Sequence, residues 1–223
     1  MQHIVFRLAD ALPPGVLRDL DNAPREIRLD AAETTLDAGV GCRALADPRL
    51  AQLVEDALFH FDAERYQLFA WCVMPTHVHL LAAQVSGWTL GTVVHGLKSF
   101  TANGANRVLK RVGPFWAPEY FDRMMRSPEQ QERTIAYIES NPVVAGLCAT
   151  PESWCWSSAN ARFQPARSAG FQPASSSLRA GWKPALREEP ARGVDRGGVG
   201  GYRPTPCLVN PIRSCWSCCT AST

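Results

Sequence analysis

Three stretches of the chain have the pattern of apolar residues that is typical of strands. HIVFRLA (residues 3–9) alternates and is rich in β-branched and aromatic side chains, which predicts a first strand. RYQLFAWCVM (65–74) predicts a buried strand, and HVHLLAAQ (77–84) predicts its hairpin partner after a Pro-Thr turn. We expect this hairpin at the centre of an antiparallel sheet.

Four further stretches have the spacing of amphipathic helices: residues 13–23, 47–62, 89–109 and 127–140. Asp47 and Ser127 are suited to cap the second and fourth helices, and Gln130 would complete a capping box with Ser127. Gly104 is expected to interrupt the third helix, and the Asn-Pro pair at 141–142 is expected to end the fourth. Together these elements predict an α+β fold with the helices mainly on one face of the sheet.

The composition changes near residue 160. Residues 1–160 carry 14 basic and 18 acidic residues, a net charge of −4, and are expected to form the working domain. Residues 161–223 are rich in Gly, Pro, Ser, Arg and Ala and keep no apolar period, which predicts a disordered, low-complexity tail. No apolar run is long enough for a bilayer and the first residues do not resemble a signal peptide, so we expect a cytoplasmic protein without a membrane partner.

Two histidines lie one residue apart in the predicted hairpin. Residues i and i+2 of a strand share a face, so His77 and His79 project together and could share one divalent metal ion. The alternative is a pair of half-exposed histidines without a ligand role. On the last helix, Tyr137 and Asn141 share a face, and the Asn141 carbonyl suits Mg²⁺ or Mn²⁺. Tyr137 could instead anchor the helix, and Asn141 could cap its end.

Four segments in this order resemble the REP-associated tyrosine transposases, single-tyrosine relatives of the insertion-sequence transposases in the HUH endonuclease superfamily: YQLFAWCVMPTHVHLL, GPFWAPEYFDRMMR, YIESNPVVAGL and PESWCWSSA. The resemblance covers about residues 2–160 and implies a ferredoxin-like palm. It also implies that His77 and His79 bind the metal, that Tyr137 is the nucleophile and that Asn141 completes the metal site. This chain departs from the family pattern at Thr76, where the family usually has asparagine.

The function that this resemblance implies is nicking and rejoining of single-stranded DNA at REP-like hairpins through a 5′-phosphotyrosine, with Mg²⁺ or Mn²⁺ as cofactor. The expected partner is single-stranded or hairpin DNA, with no obligatory protein partner, for a monomer or homodimer associated with a bacterial nucleoid. One alternative is a domesticated DNA-hairpin-binding protein that does not cleave. Another is an HxH metal-dependent phosphoester hydrolase, in which Tyr137 would be dispensable.

Basic residues concentrate around the third predicted helix and the segment after it. Residues 98–126 have a net charge of +4, whereas residues 10–64 have a net charge of −7, so we expect the basic side of the domain to lie where the motifs lie. The candidate DNA-binding residues are Lys98, Arg107, Lys110, Arg111, Arg123 and Arg126. Interleaved aromatic residues could stack on unpaired bases or belong to the core: Phe115, Trp116, Tyr120 and Phe121.

Two hexapeptides in the tail are related through the genetic code. AGWKPA (180–185) can be encoded by a sequence whose reverse complement translates as AGFQPA (169–174), and ARFQPA (161–166) resembles the second. Our hypothesis is that the tail is translated from REP-like repeats beside the gene. Four cysteines near the end have an irregular spacing that does not favour a zinc site: Cys207, Cys215, Cys218 and Cys219.

Overall fold

The computed structural model of this chain describes residues 1–160, except for the side chains of residues 21 and 25–30. The predicted tail, its related hexapeptides and its four cysteines lie outside the described residues. Four strands are present in the described part: β1 (Gln2–Arg7), β2 (Tyr66–Val73), β3 (His77–Gln84) and β4 (Phe121–Met124). Five α-helices accompany them: α1 (Pro14–Asn22), α2 (Arg25–Asp37), α3 (Pro48–His60), α4 (Leu90–Val108) and α5 (Pro128–Val144).

The four strands form one antiparallel sheet in the order β2-β3-β1-β4. Without α1, α2 and α5, the chain runs β1-α3-β2-β3-α4-β4, which is the order of a ferredoxin-like fold. The predicted α+β class and hairpin are therefore confirmed, and β3 lies inside the sheet between β2 and β1. None of the helices in the described part is long and apolar enough to cross a membrane.

Helices pack on both faces of the sheet, so the expectation of helices mainly on one face is wrong. On one face, the ring of Trp71 from β2 meets Phe59 of α3 edge to face, with centroids 4.8 Å apart. On the other face, Ile138 of α5 is fully buried against Cys72 and Leu81. Since successive strand residues point to opposite faces, the pairing of Cys72 with His79 places that histidine on the α5 face.

Helix α4 runs through Gly104 without the predicted break. A Cβ at this position would lie 2.6 Å from Cδ2 of Leu53, so the glycine allows α3 and α4 to approach closely. The cost of glycine in a helix is about 1 kcal/mol, which tertiary packing can offset. The expectation of an interruption is therefore wrong.

The last helix begins as the sequence predicted but ends later. Ser127 caps it by accepting a hydrogen bond from the amide of Gln130, at 3.2 Å. The Gln130 side chain accepts from the amide of Arg126 at 2.9 Å, so the return bond reaches the residue before the cap. Helix α5 then continues through Pro142 to Val144. The expected stop is wrong because Pro142 lies in the last turn, where a proline removes a single helical bond.

Candidate metal and nucleophile site

His77 and His79 are completely buried between the sheet and helix α5. Their side chains share a face of β3, and their Nε2 atoms are 2.8 Å apart. The alternative of two half-exposed histidines is therefore wrong. Burial lowers the pKa of His77 to about 3 and that of His79 well below its usual value, so both rings are neutral at pH 7. Neutral imidazoles are the form that binds metals.

The turn residue Thr76 fixes the proton of the first histidine. Its hydroxyl has one proton, which it donates to the carbonyl of Leu36 at 3.1 Å. The same oxygen lies 2.7 Å from Nδ1 of His77, and it can only accept there. The His77 proton therefore lies on Nδ1, and the Nε2 lone pair points toward His79.

His3 of β1 lies behind the second histidine. Its Nε2 is 3.2 Å from Nδ1 of His79, and the two rings stack with centroids 5.4 Å apart. Burial, with a contribution from Arg123, lowers the pKa of His3 to about 4, so this imidazole is neutral as well. His3 can accept a proton from Nδ1 of His79, which leaves Nε2 of His79 available to a metal.

An amide and a carboxylate complete the cluster. In the orientation in which the Asn141 oxygen accepts from Nε2–H of His79 at 2.9 Å, the amide nitrogen donates to the Asp37 carboxylate at 3.0 and 3.2 Å. A metal would replace that Nε2 proton, and the proton of His79 would then lie on Nδ1, toward His3. Asp37 Oδ1 also lies 3.5 Å from Nε2 of His77. Burial raises the pKa of Asp37 to about 6, so it is ionised at pH 7. Ligand atoms of Asp37, His77 and His79 all lie within 4.8 Å of one another, so these two imidazoles and one carboxylate could hold a divalent metal ion.

Tyr137 borders the histidines on the same side of the sheet. Its ring meets that of His79 edge to face, with centroids 5.7 Å apart. Its hydroxyl donates a hydrogen bond of 2.8 Å to Oε2 of Glu33. Burial and the negative charge of Glu33 raise the pKa of the phenol above its usual value, so the hydroxyl is protonated at pH 7.

An open cleft of about 630 Å³ gives the tyrosine access to solvent. It lies between α2 and α5, and its lining residues are Glu33, Thr34, Asp37, Ala38, Tyr137, Val144 and Ala145. Tyr137 keeps 38% of its surface exposed, whereas both histidines have none. A substrate entering this cleft meets the phenol and the Asp37 carboxylate before the two histidines.

Sequence reasoning missed three residues of this cluster, namely His3, Glu33 and Asp37. His3 has no second histidine at strand spacing, and the acidic segment 10–64 was expected to lie away from the motifs. The expected separation is wrong, because α2 lies over the histidines and carries Glu33 and Asp37 on one face. Their i, i+4 spacing is the signal that could have identified them.

Two of the predicted DNA-binding residues are engaged within the protein. The Lys98 ammonium donates to the carbonyls of Ala117, Pro118 and Glu119 at 2.5, 2.9 and 3.1 Å. Arg111 donates to the Asn106 side chain and to a nearby carbonyl, at 3.2 and 3.0 Å. These cations stabilise the segment between α4 and β4, which accounts for their positions without DNA.

The remaining four predicted cations are exposed: Arg107, Lys110, Arg123 and Arg126. Arg123 pairs directly with His3 between β4 and β1, so it lies beside the histidine cluster. Among the aromatic candidates, Phe115 and Trp116 are buried, with 2% and 5% exposed, and belong to the core. Stacking on bases is thus excluded for those two, while Tyr120 and Phe121 are partly exposed.

Residues 46–141 match the sequence profile of the family described as Transposase IS200 like. This part of the chain is therefore similar to an IS200-like transposase domain. The match confirms the transposase resemblance. It includes both histidines of the hairpin and Tyr137, and it ends at Asn141; His3, Glu33 and Asp37 precede it. Among the curated proteins, none matches this chain.

Two solved structures are similar to this one. The structure of a REP-associated tyrosine transposase bound to a REP hairpin is 16% identical in sequence, with a TM-score of 0.49. That similarity covers 78% of this chain and 88% of the other. A crystal structure of a protein described as a transposase from Deinococcus radiodurans R1 is 19% identical, with a TM-score of 0.37, over 63% of this chain and 88% of the other.

Proposed function

We propose that this transposase nicks and rejoins single-stranded DNA at REP-like hairpins, with Tyr137 as the nucleophile. The observation that carries this proposal is the position of the Tyr137 ring, 5.7 Å from that of His79 and on the same face of the sheet. A phenol beside buried, neutral imidazoles combines a nucleophile with metal ligands. A tyrosine that only anchored the helix would not need metal ligands beside it.

His77, His79, Asn141 and Asp37 would hold the metal. Thr76 presents Nε2 of His77, and His3 stands behind His79, so both rings are oriented from outside the cluster. A divalent ion bound there, Mg²⁺ or Mn²⁺, would polarise a non-bridging phosphate oxygen and neutralise charge that develops during the reaction. The negative charge of the Asp37 carboxylate would attract a divalent cation to this site.

Tyr137 would attack the phosphorus of the scissile phosphodiester. The new bond joins the phenolic oxygen to phosphorus, and the bond from phosphorus to the 3′ oxygen breaks. The products are a 5′-phosphotyrosine and a free 3′-hydroxyl. Because the phosphodiester bond energy is kept in the covalent link, a second 3′-hydroxyl can rejoin the strand without ATP.

DNA would approach over the exposed cations at one edge of the sheet. Arg123 pairs with His3 between β4 and β1, and Arg126 lies just before α5, so both exposed cations are at the β4 edge of the sheet. Phosphate contacts of this kind position a strand without reading its sequence. We expect the protein to act as a monomer or a homodimer at the bacterial nucleoid.

The test is a nicking assay on labelled oligonucleotides that carry a hairpin with single-stranded flanks. With Mg²⁺ or Mn²⁺, we expect cleavage in the single-stranded flank, and no cleavage by the double variant His77→Ala/His79→Ala. A fully paired duplex of the same sequence is the matched control and should remain intact. Tight hairpin binding without cleavage by the wild type would contradict the proposal and favour a binding protein.

A further inference from the structure

One carboxylate contacts the atom that the proposed reaction makes reactive. Glu33 Oε2 accepts the hydroxyl proton of Tyr137 at 2.8 Å. Glu33 is 7% exposed and belongs to α2, outside the residues that match the transposase family. The mechanism described so far gives this residue no part.

We propose that Glu33 is the catalytic base of this enzyme: it takes the Tyr137 proton as the phenolic oxygen attacks phosphorus, and it returns that proton when the strand is rejoined. This inference rests on the proposed function, because it assigns a role to Glu33 in that same reaction. It adds a general base to the nucleophile and the metal ligands.

The proton balance of the two steps is closed. In cleavage, the phenolic oxygen forms its bond to phosphorus while its proton moves to Glu33, and the leaving 3′ oxygen takes a proton from water. In rejoining, an incoming 3′-hydroxyl loses its proton to water, the bond between phosphorus and the phenolic oxygen breaks, and Glu33 gives its proton back to Tyr137. The carboxylate is regenerated after one full cycle, as a catalyst requires.

The charge around the phenol favours proton transfer during the attack. Glu33 and Asp37 both line the cleft beside the phenol, so a negative charge on the phenolic oxygen would face two carboxylates. The proton must therefore leave as the bond to phosphorus forms. Glu33 is the group that already accepts it, whereas the Asp37 carboxylate faces the amide of Asn141 and Nε2 of His77.

Glu33 is held in place by its hydrogen bond with Tyr137 and by its helix. Its second oxygen, Oε1, lies 3.9 Å from Nδ1 of His79, so the two oxygens face different groups. Helix α2 is fixed by the burial of Ala32 and Leu36 and by the hydrogen bond from Thr76 to the Leu36 carbonyl. A base held in this way costs little entropy to bring into position.

The experiment compares Glu33→Gln with Glu132→Gln, which changes an exposed carboxylate on α5. Glutamine keeps the size and an oxygen acceptor but cannot take the proton. Single-turnover formation of the covalent adduct, at saturating Mn²⁺, should slow by about 10²–10⁴-fold in Glu33→Gln and stay within about threefold in Glu132→Gln. Added acetate should restore part of the rate in Glu33→Ala, where the side chain leaves space.

Mn²⁺ affinity and the melting temperature are measured on the same variants. An unchanged affinity with a slowed reaction supports a base, and a rate in Glu33→Gln within about threefold of the wild type overturns it. A rate loss that is seen at low Mn²⁺ and disappears at saturating Mn²⁺ also overturns it, because Glu33 then acts through the metal. Failure of the proposed function is a different result: the wild-type protein itself would form no adduct.

Discussion

The Thr76 hydroxyl connects helix α2 to the histidine hairpin. It donates to the Leu36 carbonyl at 3.1 Å and accepts from Nδ1 of His77 at 2.7 Å. Since the hydroxyl has a single proton, the bond to Leu36 determines which nitrogen of His77 carries its proton. One side chain thus positions the helix that carries two carboxylates and orients a metal ligand.

Replacing Thr76 by valine should weaken metal binding. The substitution keeps the shape of the side chain, but Nδ1 of His77 and the Leu36 carbonyl lose their partner. We expect Mn²⁺ affinity to fall by about 10–100-fold, the usual effect of removing an outer partner of a metal ligand. Isothermal titration calorimetry measures it, with Thr35→Val as control, since that hydroxyl bonds only to a carbonyl of its own helix. Equal affinities for the Thr76→Val variant and the wild type would contradict the role of Thr76.

The stability of the metal-free protein should depend on pH through its buried histidines. In the folded state the pKa is about 4 for His3 and about 3 for His77, against about 6.5 when the chain is unfolded. Below pH 6.5 the unfolded chain therefore binds more protons, and the free energy of unfolding decreases as the pH falls toward 4. Asp37 acts in the opposite sense, because its raised pKa of about 6 makes ionisation costly as the pH rises from 4 to 6.

Thermal unfolding with a chelator tests this pH dependence. The shifts of the two histidines are larger than that of Asp37, so the melting temperature should fall between pH 6.5 and 4.5. The variant His3→Gln/His77→Gln should show a flatter dependence over the same range. If the melting temperature of the wild type and that of the variant changed equally with pH, the lowered pKa values of these histidines would be contradicted.

Gly41 controls how the segment after α2 returns to the start of the domain. A Cβ at this position would lie 2.1 Å from the carbonyl oxygen of Ala11, a backbone atom that cannot move aside alone. Gly41→Ala should lower the free energy of unfolding by about 1–3 kcal/mol, as for other overpacked sites. Urea denaturation measures the change. Gly91→Ala is the control, because no atom lies within 4 Å of the added carbon; a similar loss in both variants would contradict the steric account.

The elements with local signals could be predicted from the sequence. The hairpin of β2 and β3 has apolar strands on either side of a turn, and α5 begins with Ser127 and Pro128, so their residues determine them directly. The i, i+2 and i, i+4 spacings also predicted which of their side chains share a face.

The remainder of the site depends on contacts distant in sequence. His3 meets His79 through the pairing of β1 with β3, and Asp37 meets Asn141 through the packing of α2. Helix α2 itself was not predicted, and the acidic charge of its segment suggested a surface far from DNA. The burial of Trp116, which donates to the Thr101 hydroxyl at 2.8 Å, likewise follows from packing that no local spacing indicates.

Covalent capture of a labelled hairpin oligonucleotide tests the central claim, that Tyr137 is the nucleophile. With Mn²⁺ present, the wild type should give a protein–DNA adduct that survives denaturing electrophoresis, with the label on the peptide that contains Tyr137. Tyr137→Phe removes only the hydroxyl and should abolish the adduct while Mn²⁺ affinity stays within about threefold. Tyr120→Phe, the matched control, should form the adduct normally. An adduct in Tyr137→Phe, or metal-dependent cleavage retained by that variant, would contradict the account.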